Sequence, residues 1–231
     1  MALNNPGSVL RGLKVALCLM GAALGGCNGV PKTFISNPVY DQAFIVTSGA
    51  PMPMMIMATA VQWNDDYAVT AKHTPFLKNV VHEGRGDLVF FRHRADYAPQ
   101  WRQHVPGESV TAVGFNSLYL PVEGAENTTS ALVRLGVGDN VFYSIHDGAT
   151  MKGMSGGPVF AGDGKVVGMT VAFIPKGEID SLKRPDLAKL QRVSVFMPYS
   201  EIDRDWRRYQ QKLAGFPAPA SQPAFVAATS R

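Results

Sequence analysis

Between residues 44 and 168 the apolar positions come in short runs rich in Val, Phe, Tyr and Thr, with Gly, Pro, Asn and Asp between them at the spacing of strands and turns. The pattern predicts strands over residues 54–63, 67–71, 88–91, 110–115, 131–137, 141–145, 158–160, 166–173 and 193–197. Asn64-Asp65-Asp66 supplies a hairpin turn signal between the first two. A helical period first appears near the C-terminus. There Ile202, Trp206 and Tyr209 recur on one face, Ser200 is a candidate N-cap followed by Asp203, and Gly215 marks the stop. Beyond it, residues 216–231 are Pro, Ala and Ser with little to bury, which is the composition of a flexible tail. No internal repeat is present. The fold class expected is all-β with one C-terminal α-helix.

The first residues follow another logic. Arg11 and Lys14 precede a short apolar run over residues 15–23, and no acid appears before Asp41, as in an export signal. The run is too short for a permanent membrane helix. It ends in Leu24-Gly25-Gly26-Cys27, which resembles the lipobox of bacterial lipoproteins. The resemblance implies cleavage before Cys27, a diacylglyceryl group on its sulfur, acylation of the new amino terminus, and a tether over residues 27–43. Several acyl chains, at about 0.8 kcal/mol per buried methylene, make such a lipid anchor to the membrane stable. An ordinary secretory signal cut nearby is the alternative. In family terms Asn28, rather than Asp, after the cysteine points to the outer membrane, on its periplasmic face, if the cell is Gram-negative.

With Cys18 in the removed segment and Cys27 lipidated, the exported domain has no thiol left for a disulfide. It must rely on its core, and roughly 200 residues suffice for one substantial or two-lobed domain. Loss of Arg11 and Lys14 lowers the formal net charge from +4 to +2, which argues neither for nucleic acid nor for acidic lipid as a partner, and no nucleic acid is expected.

Chemistry enters at Gly153-Met154-Ser155-Gly156-Gly157-Pro158 and, well upstream, at Thr70-Ala71-Lys72-His73. A neutral serine needs a base to take its proton as it attacks, and an imidazole titrates in the right range. Glycines around Ser155 let the backbone turn tightly and aim N–H groups at a developing oxyanion. The bland reading makes Ser155 a residue of a hairpin corner. Of five histidines, His73 alone follows an apolar strand-like run, whereas His82, His93, His104 and His146 sit among polar or loop residues, where surface solvation is the default.

Both motifs resemble those of the trypsin-like (chymotrypsin-fold) serine peptidases, with Lys72 in place of an alanine and Thr74 in place of the usual cysteine. The resemblance covers residues 44–215 and implies two six-stranded Greek-key barrels, about 44–103 and 104–199, followed by the helix at 200–215, with the site in the cleft between the barrels. It implies a serine endopeptidase acting on protein or peptide substrates, with Ser155 as nucleophile, His73 as general base, and the N–H groups of Gly153 and Ser155 as the oxyanion hole. Asp87 begins Asp-Leu-Val-Phe-Phe, similar to the family's Asp-Leu-Ala-Leu strand, and is the first candidate for the acid that orients His73. Asp96 is the second, because Asp87 follows His73 so closely that the intervening hairpin must be trimmed. No metal or organic cofactor is implied.

Where many family members carry an activating aspartate just before the serine, this chain has Met154, so the oxyanion hole is expected to form without proteolytic activation, as in the Deg-type bacterial members. Ala149 falls where the family lines the bottom of its specificity pocket, and Phe173 on the pocket wall, which together imply an apolar pocket. A Gly-x-Ser-x-Gly elbow of the α/β-hydrolase kind needs a histidine after the serine, and none follows His146. A subtilisin-like order needs an acid well before the histidine, and of Asp41, Asp65 and Asp66 two lie in a turn. The competing class is a binding or scaffold lipoprotein that kept the fold and lost turnover. Met52, Met54, Met55 and Met57 are either strand-entry packing or a soft-sulfur site for Cu(I).

Overall fold

The computed structural model describes residues 30–34, 37–134, 140–181 and 184–215. The export signal, Cys27 and the tail at 216–231 lie outside them, as do residues 135–137 of one strand run. The elements come in two groups. After β1 (Lys32–Thr33), the first group is β2 (Ala43–Thr47), β3 (Met57–Asn64), β4 (Tyr67–Thr70), β5 (Val80–Glu83) and β6 (Val89–Arg92), paired antiparallel in the order β2-β3-β4-β6-β5. The second group is β7 (Ser109–Phe115), β8 (Pro121–Val133), β9 (Tyr143–His146), β10 (Pro158–Ala161), β11 (Val166–Pro175) and β12 (Arg192–Pro198). Its order is β8-β7-β10-β11-β12-β9, and β9 pairs again with β8, so the ring closes into a six-stranded barrel. Helix α1 (Lys176–Ser181) follows β11, and α2 (Tyr199–Leu213) ends the described chain.

The expected all-β architecture with a C-terminal helix is present, with one difference in the first unit, which has five strands among the described residues rather than six. Only β5 stands between His73 and Asp87, and this single strand is the trimmed hairpin that their spacing of 14 requires. The linker after β6 is short, because Gln100 and Arg102 already exchange backbone hydrogen bonds with Val166 of the second barrel.

Strands β4, β6 and β12 read as nearly continuous apolar runs because both of their faces are covered. Val61, Val69, Leu88 and Phe90 of the first unit and Tyr143, Ile145 and Met197 of the second share one buried cluster with Ile202 of α2. Burying a side chain of this size contributes roughly 1.5–3 kcal/mol, so the two units are welded by apolar area as well as by the chain. Helix α2 crosses back to the first unit, where Trp206 packs on Tyr67 and Phe90 with ring centroids 4.9 and 5.2 Å apart, and Tyr209 stacks on His82 at 5.3 Å. The face predicted from Ile202, Trp206 and Tyr209 is therefore the packed one.

Several boundaries differ from expectation, among them β8, which begins at Pro121 rather than at residue 131, and the C-terminal helix and the tether. Helix α2 starts at Tyr199 with Pro198 in the cap position and no side-chain cap, so Ser200 lies inside the first turn. Pro198 leaves β12 with extended ψ and lacks an N–H, which suits it to a helix start without a capping oxygen. Residues 30–34 and 37–43 are not simply a tether. Strand β1 pairs with β8, the Phe34 N–H donates to the Pro121 carbonyl, and Tyr40 packs on Phe160 at 5.1 Å.

Candidate active site

Strand β4 ends at Thr70, and the turn after it carries His73 to the mouth of a cleft of about 600 Å³. Asp87 reaches the same place from the bend before β6. His73 Nδ1 lies 2.5 Å from Asp87 Oδ2, and the His73 backbone N–H donates to Asp87 Oδ1 at 2.9 Å. One carboxylate thus holds both the ring and the main chain of the histidine. The tautomer this favours puts the proton on Nδ1 and leaves Nε2 as an acceptor. The hydrogen bond to Asp87 raises the imidazole pKa above its ordinary value, outweighing the partial burial that lowers it. Asp96, the other candidate acid, is exposed in the loop after β6.

The Asp87 bend is itself held from two sides. Its N–H donates to the Tyr143 hydroxyl at 3.1 Å. The neighbouring Arg85 donates through its backbone and guanidinium to Asp205 at 2.8 and 3.1 Å, and to Glu201 at 3.2 Å, both nearly buried on α2. The C-terminal helix therefore braces the loop that carries the acid.

From the second barrel, Ser155 faces the same cleft, together with Thr150, Met151, Lys152, Val171 and Phe173. Its hydroxyl donates to the Val171 carbonyl at 3.3 Å, and among the described residues there is no hydrogen bond between Ser155 and His73. Such bonds are often loose before substrate arrives. Around the serine the backbone is fixed throughout: Met154 N–H to Met151 O at 3.1 Å, Gly156 N–H to Thr170 O at 2.7 Å, Gly157 N–H to Met154 O at 2.9 Å. Gly153 at φ 98° and Gly156 at φ 85° occupy the left-handed region that glycine tolerates. The N–H groups of Gly153 and Ser155 have no protein acceptor among the described residues, which leaves both available to an oxyanion.

Ala149 is buried and does not line the cleft. Its carbonyl packs against Gly124, which turns the residue into the barrel wall, and Thr150 takes the lining position. The Thr150 hydroxyl is 2.8 Å from that of Ser194, which donates to the Gly148 carbonyl at 2.6 Å, so this wall is neutral and polar rather than purely apolar. Phe173 lines the cleft, with the Arg192 guanidinium 5.7 Å from its ring centroid. His146, read from sequence as a surface residue, is fully buried in β9, where burial, and secondarily Arg192, push its pKa down to about 4. Met54 and Met55 are exposed in a turn before β3 rather than packed within the strand. Cys27 lies outside the described residues.

The family model of the trypsin-like peptidase domain matches residues 39–169. The chain belongs to the trypsin-like peptidase family. Solved structures share the fold of this trypsin-like chain at low identity. The Rv3671c protease from M. tuberculosis in its active form is 14% identical, with a TM-score of 0.55 over 85% of this chain and 97% of that one. The MamO protease domain from Magnetospirillum magneticum is 18% identical, with a TM-score of 0.53 over 73% and 97%. The HtrA-type protease AlgW, solved with a tripeptide, is 14% identical, with a TM-score of 0.58 over 77% of this chain and 63% of its own. No curated protein matches the chain.

Proposed function

We propose that this trypsin-like chain is an active serine endopeptidase. Ser155 Oγ attacks the scissile carbonyl, His73 Nε2 takes the hydroxyl proton and passes it to the leaving amine, and Asp87 holds the imidazole and stabilises its charged form. The acyl-enzyme then hydrolyses as His73 draws a proton from water, and the N–H groups of Gly153 and Ser155 stabilise the oxyanion in both halves. The observation that carries this reading is the 2.5 Å contact between His73 and Asp87 on a cleft that Ser155 lines from the other barrel. The cleft wall of Thr150, Val171, Ala172 and Phe173 suits a small or medium uncharged residue before the cleaved bond. A Lys or Arg there would be desolvated without a partner, at a cost of several kcal/mol.

One observation favours a second reading, a binding module without turnover: the Ser155 hydroxyl is engaged by Val171 rather than by His73. A fluorogenic peptide library, offered to the full chain and to Ser155→Ala, separates the two. Turnover by the native chain alone supports the peptidase, and equal silence in both supports the binding module. A preference for Arg or Lys would show that the pocket is built from other residues.

The reading also places the enzyme on a lipid anchor at the cell envelope, supported by the resemblance of Leu24 to Cys27 to a lipobox. Intact-mass analysis of the chain made in a bacterium is expected to show residues 1–26 missing and acyl mass on Cys27. An unmodified thiol at Cys27 would contradict it.

A further inference from the structure

We infer that Thr59, on β3 of the first barrel, is a positioning residue that sets the oxyanion donors of the second. The inference rests on the peptidase reading for its catalytic consequence, and on geometry alone for its structural part. Thr59 is completely buried between Ala58 and Ala60 of β3, where a hydroxyl must find partners. Its Oγ1 donates to the Gly153 carbonyl at 2.7 Å and accepts from the Phe115 N–H at 3.0 Å. Its own N–H donates to the Ser155 carbonyl at 2.9 Å. Its carbonyl accepts from the Thr70 hydroxyl at 2.7 Å, three residues before the general base.

The arrangement fixes peptide planes. The plane joining Gly153 to Met154 is held at its carbonyl by Thr59 and at its N–H by Met151 O, and the plane after Ser155 is held at its carbonyl by Thr59 and at its N–H by Thr170 O. Gly153 has glycine's wide conformational choice, so with its carbonyl unheld the adjoining plane that carries its N–H could turn about the shared Cα and aim away from the oxyanion. The neighbourhood is shaped around this one side chain. A Cβ at Gly114 would sit 2.8 Å from its hydroxyl and one at Gly157 3.1 Å from its methyl, while one at Gly156 would collide with its carbonyl oxygen. Thr59 therefore ties the barrel that carries the base to the loop that carries the nucleophile.

Thr59→Val keeps the shape and removes one donor and one acceptor, and Thr59→Ser restores both. The expected result with a fluorogenic peptide is a fall in kcat of roughly 10- to 100-fold for Thr59→Val, somewhat below the loss of a whole oxyanion donor. KM should change little and the serine variant should recover most of the rate. Affinity for a peptide boronate, which mimics the tetrahedral state, should fall in parallel, while the pH at which the rate is half-maximal should stay put because His73 is untouched. A purely structural role would lower the melting temperature and leave kcat per folded molecule and boronate affinity unchanged, which would overturn the inference. Amide hydrogen exchange needs no turnover and keeps the geometric part testable even if the native chain proves inert. Exchange at Phe115, whose N–H donates to the Thr59 hydroxyl, and at Met154, whose N–H shares a peptide plane with the Gly153 carbonyl, should quicken in Thr59→Val and return in Thr59→Ser, and unchanged exchange at both would overturn the clamp, whatever the chain catalyses.

Discussion

The first barrel holds its half of the site with charged side chains, and the second holds its half with main chain. Asp87 grips His73 at ring and backbone, and Arg85 ties the bend before it to two nearly buried acids on α2. Ser155, by contrast, sits on a loop held at its main chain: Met154 and Gly156 donate to Met151 and Thr170, and the Gly153 and Ser155 carbonyls accept from Thr59, while the serine side chain has one long bond to Val171. Charged bonds are strong but respond to protonation, whereas backbone pairing contains no titrating group. The consequence is a division of labour. On the proposed peptidase reading, the five-stranded unit carries the group that changes charge, and the closed six-stranded barrel carries the oxyanion donors.

The sharpest break of that division is at the reacting groups. Ser155→Ala or His73→Ala should each abolish nearly all peptidase turnover, and the double variant should be scarcely worse than either, since such groups act as a unit. Asp87→Asn should fold yet lose on the order of 10⁴ in turnover, the loss that a wrongly held tautomer brings in trypsin-like enzymes. Asp96→Asn should cost almost nothing. If Asp96→Asn were the crippled variant, the pairing of His73 with Asp87 would not be the working one.

A smaller effect separates the barrels by pH. His146 is buried neutral in the closed barrel, opposite Ser194 of β12 and Thr128 of β8 and under the influence of Arg192. Its folded-state pKa of about 4 lies below the ordinary 6.5, so the unfolded chain binds its proton more readily. Stability contributed by keeping His146 neutral is whole above the ordinary value and is lost as pH falls towards about 4, about 3 kcal/mol across that window. In His146→Leu, urea melts between pH 7 and 4 should lose that part of the slope. A slope identical to that of the native chain would mean the imidazole is not buried neutral. The His73 pair behaves oppositely: its raised pKa adds stability at low pH that fades as pH climbs past it.

Much of this was legible in the chain. Apolar runs located β3, β4, β6, β7 and β10 to β12 to within a few residues because burial on both faces leaves little room for polar side chains. Strand β5 was missed because it is an edge strand with no fully buried residue, and its Val-Val-His-Glu has no strong alternation. His146 was misread because it falls just past the strand expected at 141–145 and before Asp147-Gly148, which look like a turn, while the closure of β9 on both β8 and β12 buries the strand completely. The position of Ala149 was fixed by a contact with Gly124 from a distant strand, which no local spacing reveals. Thr59 carried only a faint signal, a hydroxyl in an alanine-rich strand. Its partners are Gly153 and Phe115, and only the packed barrels bring them together.

The central claim is that a base set by the first barrel activates a serine set by the second. The most direct measurement is labelling of the full chain by a fluorophosphonate, with the modified residue located by mass and the rate followed against pH. The account predicts one adduct per chain, on Ser155, forming at a rate that rises with pH through an apparent pKa above 6.5, the ordinary value for His73. An adduct elsewhere, no adduct at any pH, or an unchanged rate in His73→Ala would contradict it.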